Sequence, residues 1–209
     1  MKINTGNQYK DDIFNKLNFL FAKGKKILDV GCGDGCDAKI FINEFKLKTF
    51  ALDIFKHINI CKIKGLVFKK GTILKIPFHT NYFDYVFTHD VLHHIDEKNQ
   101  SYQIHVKALE ELKRVCEKGG TIIIIEANRF NPLFYPHMVL MHKHNHFRQS
   151  YLKKLINKIF PRARFKYFEA HYYPSFFLGI FRIYEYFMEN IPLLKSFLAY
   201  NVAIIENDK

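Results

Sequence analysis

A short apolar strand runs directly into a glycine-rich turn near the start of the chain, in the sequence ILDVGCGDG at residues 27–35. Gly31, Gly33 and Gly35 permit positive φ angles, and without a Cβ they let a ligand lie against the backbone. A helical pattern follows at residues 37–44, so the amide groups at its N-terminus face the turn. The pattern predicts a strand, a tight turn and a helix that bind a ligand at the carboxyl edge of a sheet.

The next apolar strand ends in a carboxylate. Asp53 follows the apolar residues 50–52 and lies twenty-two residues after Gly31. An acid in this place can accept hydrogen bonds from both hydroxyls of a ribose. The turn has the spacing GxGxG, because Cys36 occupies the third glycine position of the dinucleotide fingerprint GxGxxG. These features predict that the chain binds a nucleoside-containing ligand. Its glycine turn differs from the turn of a dinucleotide-binding site.

Strands alternate with longer helical patterns along the chain, which requires right-handed crossovers and a parallel sheet covered on both faces. Strands are predicted at residues 26–30, 49–53, 66–70, 83–88, 121–126, 165–173 and 201–206, and helices at 8–22, 37–44, 101–116 and 149–159. Residues 129–147, with Pro132 and Pro136, are predicted to be irregular. No repeat or linker interrupts the sequence. We expect one domain over residues 1–209, with a cofactor-binding core at 1–127 and a substrate-side elaboration at 128–209 that carries the last two strands.

Five separated motifs together resemble a known family. They are ILDVGCGDG at 27–35, ALD at 51–53, GTILKIPFHTNYFDYV at 71–86, THDVLHHID at 88–96 and LKRVCEKGGTIIIIEAN at 112–128. Their order and spacing resemble the class I S-adenosylmethionine-dependent methyltransferases of the type 11 group over residues 25–127. The resemblance implies an α/β fold, a Rossmann-like three-layer sandwich with a mainly parallel seven-stranded sheet and an antiparallel last strand. It also implies S-adenosyl-L-methionine as the cofactor.

The resemblance carries cofactor contacts onto individual residues. It implies that the turn at residues 31–35 holds the methionine part of the cofactor beside His89, that Asp53 holds the ribose, and that Ile54 packs on adenine. The sequence departs from the family at Thr72, where members commonly have an acid that contacts the adenine amino group. The Thr72 hydroxyl or the backbone of Ile73 would then substitute for that acid. The predicted cofactor set is Asp29, Gly31, Cys32, Gly33, Gly35, Asp53, Ile54, Thr72, Ile73 and His89.

The formal net charge of +12 admits nucleic acid as a partner, since a basic surface attracts phosphate. The charge is uneven, because nine basic residues and no acidic residue lie between Glu126 and Glu169. We expect a positive face there. The excess of lysine also fits a compositional bias of the source, and the sequence has no Asn-Pro-Pro-Tyr motif of base-amine methylation. Nucleic acid is therefore the less favoured partner.

Cysteine and histidine patterns do not indicate a metal. The four cysteines include no CxxC pair, which favours reduced, structural thiols. Histidines cluster at positions 137, 142, 144 and 146, but the segment HNHFRQSYL at 144–152 resembles a substrate-side segment of the family. We expect no metal. Residues 1–10 are polar, and no uncharged run reaches the roughly 20 residues of a membrane span, so we expect a cytoplasmic protein.

The segment FFLGIFRIYEYF at residues 176–187 is apolar on most sides yet too short to span a bilayer. It is typical of a helix packed over the sheet or of a substrate lid. The alternative is contact with a membrane surface or a lipid tail, which the nearby basic stretch favours and which would make the protein peripheral to the membrane.

The predicted activity is methyl transfer to a small molecule, such as a sugar, a lipid-linked compound or another metabolic intermediate. Methyl transfer from a sulfonium chiefly needs positioning and exclusion of water. For a hydroxyl acceptor a base would assist, and His93, His94 and Asp90 are the candidates that follow the fourth strand. Two alternatives stay open, an RNA methyltransferase and a non-catalytic cofactor-binding scaffold for a partner protein.

Overall fold

The computed structural model describes residues 2–209 of the chain. The strands are β1 (Lys26–Val30), β2 (Lys48–Asp53), β3 (Val67–Lys70), β4 (Phe83–His89), β5 (Cys116–Ala127), β6 (Arg164–Phe168) and β7 (Tyr200–Glu206). The α-helices are α1 (Gln8–Leu17), α2 (Cys36–Asn43), α3 (Tyr102–Val115), α4 (Gln149–Ile159) and α5 (Leu178–Asn190). Short 3₁₀ helices lie at Ile58–Lys62, Leu92–His94, Ser175–Phe177 and Pro192–Phe197, and a wide helical turn lies at Tyr135–Met141.

The seven strands form one sheet in the order β3-β2-β1-β4-β5-β7-β6. Strands β1 to β5 run parallel to one another, with Ile27 of β1 between Thr49 of β2 and Tyr85 of β4. β7 runs antiparallel to both β5 and β6. The predicted α/β fold, a mainly parallel seven-stranded sheet with an antiparallel last strand, is confirmed.

Helices cover the sheet on both faces and complete the three layers. On one face, Leu112 of α3 and Ile156 of α4 pack with Ile124 of β5. On the other, Phe41 of α2 packs with Ile123 of β5. Neighbouring β5 residues therefore enter opposite cores, as the alternation of side chains along a strand requires.

Three predicted boundaries were wrong by five residues, and one of them is the start of β5, which begins at Cys116 and not at residue 121. The first helix ends at Leu17, short of residue 22, because Asn18 turns into the left-handed region with φ 45° and its amide bonds the Phe14 carbonyl. The strand predicted at 165–173 ends at Phe168, because that residue pairs with Tyr200, the first residue of β7. The stretch predicted to be irregular contains the wide turn at Tyr135–Met141.

Helix α5 contacts the amino-terminal helix α1 through ion pairs. Arg182 of α5 bonds Asp12 of α1, and Lys16 of α1 bonds both Glu185 and Glu189 of α5. Charged contacts therefore hold α5 on α1. No helix within residues 2–209 combines the length and the apolar character that crossing a membrane demands.

The aromatic packing under α2 makes a test of this core. Phe41 is fully buried and meets Phe14 and Phe87 edge to face. We expect Phe41→Ala to lower the free energy of unfolding by about 4 kcal/mol in urea denaturation, because the substitution leaves a cavity. Leu20→Ala, at an 80% exposed position, is the control and should change it by less than about 0.5 kcal/mol. Equal effects of the two variants would contradict the placement of Phe41 in the core.

Candidate active site

The glycine turn between β1 and α2 has the geometry that only glycine adopts easily. Gly31 and Gly33 have φ angles of 73° and 51°. A Cβ on Gly31 would lie 2.4 Å from a methyl group of Val91, which packs over the turn. A Cβ on Gly33 would meet no atom within 4 Å. The turn is therefore tight on the side of Val91 and open above Gly33, where a ligand can approach the backbone.

Asp53 lies at the carboxyl end of β2, beside this turn. Its two carboxylate oxygens accept hydrogen bonds from the backbone amides of Gly33 at 2.9 Å and Phe55 at 3.1 Å. These bonds orient the carboxylate, and each oxygen keeps a further lone pair for a ligand donor.

A groove beside Asp53 contains several of the residues predicted to hold the nucleoside. Asp53, Ile54, Gly71, Thr72, Ile73 and Val91 line it, and we name it the Asp53 groove. The Ile54 side chain is 54% exposed and so is free to cover a flat ligand. The Thr72 hydroxyl accepts a hydrogen bond from the Leu74 amide at 3.3 Å and can still donate one.

A second groove lies on the other side of the glycine turn. Gly31, Cys32, Gly33, Asp37, His89 and Asp90 line it, and we name it the His89 groove. In its wall, His89 Nδ1 lies 2.9 Å from Asp37, and Lys10 Nζ lies 2.8 Å from the same carboxyl group. Burial alone would raise the pKa of Asp37, but Lys10 and His89 outweigh it and hold that pKa well below its ordinary value. The wall of this groove therefore contains a buried Asp37 carboxylate that is paired with Lys10 and His89.

Two residues of the predicted cofactor set lie outside the linings of both grooves. Asp29 is buried beneath the turn, and burial followed by the nearby Asp37 carboxylate raises its pKa well above the ordinary value. Gly35 is the residue immediately before α2, where a Cβ would lie 2.5 Å from Ile63. Both positions support the shape of the turn from behind.

A larger cavity of about 520 Å³ opens where the elaboration covers the carboxyl edge of the sheet. We name it the aromatic cavity, since Tyr9, Phe134, Tyr172, Phe181 and Tyr200 contribute to its lining. His137, His146, His171 and Asp90 add polar groups to it. Burial, followed by the charge of His93, lowers the pKa of His146 to about 4, so this imidazole is neutral near pH 7.

Asp90 is the residue that the two grooves and the aromatic cavity share. It directly follows β4 and has a φ of 56°, an unusual value for a residue with a side chain. Its carboxylate accepts hydrogen bonds from the Ala127 amide at 2.8 Å and from the Tyr200 hydroxyl at 3.3 Å. The strained backbone and the two bonds hold this carboxylate at the junction of the cavities.

A chain of hydrogen bonds links Asp90 to the wall of the His89 groove. The Tyr200 and Tyr9 hydroxyls lie 2.5 Å apart, and Tyr9 lies 3.1 Å from His89 Nε2. Burial raises the pKa of both tyrosines well above the ordinary value, so both hydroxyls keep their protons. Changes at one end of this chain can therefore alter hydrogen bonding at the other.

The three predicted base candidates occupy different places. Asp90 lies at the junction, while His94 lines the Asp53 groove with a half-exposed side chain that bonds Glu97 at 3.2 Å. His93 is buried, with Nδ1 at 2.7 Å from Glu126, and it does not contribute to the lining of the grooves or of the aromatic cavity within residues 2–209. The structure therefore places Asp90 at the junction of the cavities and His93 outside their linings.

Glu126 fastens the segment that follows Asp90. This fully buried carboxylate accepts hydrogen bonds from the amides of Val91 at 2.9 Å and Leu92 at 2.6 Å, in addition to its contact with His93. Burial alone would lower the pKa of His93 and raise that of Glu126, but their mutual attraction reverses both directions. Their mutual attraction thus favours the charged forms of both groups, and Glu126 holds the start of the Leu92–His94 helix against β5.

Two sets of side chains within residues 2–209 have the spacing of a metal site, and one of them, Asp90, His93 and Glu126, contains the His93–Glu126 pair described above. In the other set, ligand atoms of His94, Glu97 and His144 lie within 4.8 Å of one another. Both histidines contact Glu97, which accounts for the grouping through hydrogen bonds alone. The absence of a metal stays a prediction.

Sequence reasoning missed the residues that come together only through tertiary contacts. Tyr9 and Tyr200 line the aromatic cavity from opposite ends of the chain, and nothing in their local patterns separates them from core residues. His171 falls at the end of a predicted strand, yet its Nε2 lies 2.5 Å from the buried Glu169 carboxylate. The only sequence signal for this pair was an acid and a histidine two residues apart.

The pair of Glu126 and His93 makes a pH-dependent prediction. We expect Glu126→Gln to lower the free energy of unfolding by about 3 kcal/mol, since it leaves a buried group without its charged partner. The loss should be greatest between pH 4.5 and 6.5, the ordinary pKa values of Glu and His. It should shrink as the pH rises through the raised pKa of His93, or falls through the lowered pKa of Glu126.

Chemical denaturation across pH 4 to 9 measures this window. Glu110→Gln, an exposed change on α3, is the matched control and should alter the free energy of unfolding by less than about 0.5 kcal/mol at every pH. A loss for Glu126→Gln that stays constant with pH would contradict a charged pair.

Known proteins resemble both the motifs and the fold. Residues 28–124 match the family model described as a methyltransferase domain. An uncharacterized methyltransferase of Schizosaccharomyces pombe is 33% identical over 129 residues, which cover 54% of this chain and 44% of that protein. A fatty-acid O-methyltransferase of Mycolicibacterium smegmatis is 32% identical over 111 residues, or 50% of this chain and 38% of that protein. The matched region thus spans less than half the length of these relatives.

The fold extends the similarity beyond the matched motifs. A crystal structure of a SAM-dependent methyltransferase from Archaeoglobus fulgidus superimposes with a TM-score of 0.64 at 17% identity, covering 90% of this chain and 88% of that one. At this identity the likeness shows the fold. The family model, the order of the motifs and the sheet topology agree, and the resemblance predicted from the sequence is confirmed. In its motifs and in its fold the chain is similar to the class I S-adenosylmethionine-dependent methyltransferases.

Proposed function

We propose that the protein transfers a methyl group from S-adenosyl-L-methionine to a small molecule held in the aromatic cavity. The observation that carries this proposal is the position of Asp90, which lines both grooves around the glycine turn and also the aromatic cavity. A donor on one side and an acceptor on the other would therefore meet at this carboxylate.

The described residues fit the cofactor. The space above Gly33 admits a ligand against the backbone, and Asp53 keeps oriented oxygen atoms for the two ribose hydroxyls. Ile54 would cover the adenine, while Cys32 and His89 would lie beside the methionine part. When bound, the cofactor supplies a methyl group already activated on a sulfonium, so the protein needs no nucleophile of its own.

The acceptor cavity favours a molecule with an apolar body and one polar atom to be methylated. Aromatic side chains would pack on the body and exclude water. Asp90 would accept a hydrogen bond from the acceptor hydroxyl or amine and so aim its lone pair, and for a hydroxyl it would also receive the proton. The fatty-acid O-methyltransferase relative supports an apolar acceptor, and a lipid-linked compound is the class we favour over a free sugar.

An RNA acceptor is the second candidate. It is supported by a pocket that Arg129, Arg148 and Lys154 line beside His146, which also faces the aromatic cavity. If the protein were a non-catalytic scaffold, Asp53 would still be needed to bind the cofactor, whereas Asp90 would be dispensable. The cytoplasmic location and the contact of residues 176–187 with a membrane remain proposals separate from the chemistry.

Calorimetric titration with S-adenosyl-L-methionine tests the cofactor site. We expect Asp53→Ala to weaken binding about 50-fold, because it removes the acceptor for two ribose hydroxyls and costs about 2–3 kcal/mol. Asp208→Ala, a change of the same residue type near the carboxyl terminus, should leave the affinity unchanged. Absence of binding to the wild type would overturn the proposed function.

Substitutions at two of the three base candidates, Asp90 and His94, test the catalytic assignment. We expect Asp90→Asn to lower kcat/KM about 100-fold for an acceptor found by screening apolar acids, phenols and amines with labelled cofactor. The Kd for the cofactor should change less than about threefold, since Asp53 and the turn remain. His94→Gln, at the second candidate, should retain at least about half of the activity. Full activity of Asp90→Asn would exclude Asp90 as the base and return that role to His93 or His94.

A further inference from the structure

Helix α5 is attached to the protein by its polar side and exposes its apolar side. Arg182 bonds both Asp12 and Glu185, and the ammonium of Lys16 bonds Glu185 and Glu189. In contrast, Ile180 and Ile183 are 64% and 60% exposed. This is the reverse of the usual arrangement, in which a surface helix turns its apolar stripe towards the core.

The exposed apolar surface continues on both sides of α5. Phe176 and Phe177 precede the helix and are exposed, and Leu193 follows it in the Pro192–Phe197 helix with 85% of its surface accessible. Together with Ile180, Ile183 and Phe187 they form what we name the apolar face. Contiguous apolar groups of this size on one side of a protein indicate contact with an apolar phase or a partner.

The charges around the apolar face are positive. Lys195 lies two residues after Leu193, and its carbonyl accepts a hydrogen bond from Gln149 at the start of α4. Arg148, the residue before Gln149, stacks its guanidinium on the half-exposed ring of Phe130 at 5.3 Å. The helix that carries Leu193 is thus joined to the segment that carries the basic residues.

The basic residues form a pocket that no carboxylate neutralises. Arg129, Arg148 and Lys154 line it together with Gln100, Asn145 and Tyr151, and no acid contributes to the lining. None of these three cations lies within 4.0 Å of a carboxylate in the part of the chain that the structure describes. The pocket therefore has donors available for a phosphate group.

The carboxylates of α5 would not repel a negatively charged surface. Glu185 is buried, and the carboxylate of Glu189 bonds Lys16 at 2.7 Å. The apolar face consequently has apolar groups at its centre and Lys195 beside it, and the hydrogen bond between Gln149 and Lys195 joins it to the segment that carries Arg148. This combination matches the acyl region and the phosphate headgroups of an anionic bilayer.

We propose that the apolar face docks the protein on the surface of an anionic lipid membrane, with the basic pocket contacting phosphate headgroups. A protein partner would satisfy the apolar residues but would leave the three cations unexplained, and RNA would satisfy the cations but not the exposed aromatic and aliphatic groups. The docking is independent of catalysis, since it needs neither cofactor nor acceptor.

Docking has a consequence for the aromatic cavity, and this step rests on the proposed function. Tyr172 and Phe181 line that cavity, while Phe176, Phe177 and Ile180 of the same stretch belong to the apolar face. A molecule leaving the lipid surface at this point would enter the cavity without crossing bulk water. The acceptor class that fits is a lipid with a methylatable polar end.

Flotation of the full chain with vesicles tests the docking. We expect the wild type to float with phosphatidylcholine vesicles that contain phosphatidylglycerol, and to bind pure phosphatidylcholine at least about tenfold more weakly. The double variant Ile180→Glu/Ile183→Glu should bind the mixed vesicles at least about tenfold more weakly than the wild type, because it places charge in the apolar face. Both positions are exposed, so thermal unfolding should change little.

Val67→Glu is the matched control, an exposed apolar residue exchanged for the same acid on β3, at the opposite end of the sheet. It should float like the wild type. Arg148→Glu should weaken binding to the mixed vesicles and leave binding to pure phosphatidylcholine unchanged.

Three outcomes would overturn the proposal. The wild type could fail to float with the mixed vesicles, or the double variant could float as well as the wild type. Light scattering could instead show that the wild type without vesicles forms a dimer that the double variant abolishes, which would assign the apolar face to a second copy. Calorimetric titration of the same variants with S-adenosyl-L-methionine keeps the two proposals apart, because failure of flotation with intact cofactor binding affects the docking alone.

Discussion

The close contact between Gly31 and Val91 is the constraint on which the rest of the site depends. Because Gly31 has no Cβ, the chain after β4 can pack directly on the turn after β1. Glu126 of β5 then bonds the amides of Val91 and Leu92. Three neighbouring strands are thereby joined at their carboxyl ends, and Asp90 is forced into a left-handed conformation between them.

Residues that act locally could be predicted from the sequence, while those that meet across the fold could not. The glycine turn and Asp53 are recognisable because they lie close together in the sequence. The turn directly follows one strand, and Asp53 ends the next. Tyr9 and Tyr200 meet only after the sheet has placed β7 beside β5. The end of α1 was missed for a similar reason. The left-handed residue Asn18 ends the helix, but apolar residues continue at helical spacing through Leu20, so the pattern does not show where the helix ends.

The formal charge of +12 is a poor guide until the contacts of the lysines are known. Lys10 neutralises Asp37 in the wall of the His89 groove, and Lys16 joins α1 to α5. These two lysines are paired with carboxylates inside the protein. In contrast, Arg129, Arg148 and Lys154 line a pocket that contains no acidic residue. The interval from Glu126 to Glu169 therefore contributes a positive surface for a structural reason, since no nearby segment supplies a carboxylate to that pocket.

The orientation of α5 could not be read from its own sequence. Its apolar positions fit a helix packed over the sheet as well as a helix lying on a lipid surface. The partners of its polar residues decide between these packings. Asp12 and Lys16 of α1 bind Arg182, Glu185 and Glu189, and turning the apolar side inward would break these bonds and bury the charges of α1 without partners. Glu185 is the buried member of this set, and leaving its carboxylate without Lys16 and Arg182 would cost several kcal/mol, so the ion pairs favour the orientation that exposes the apolar face.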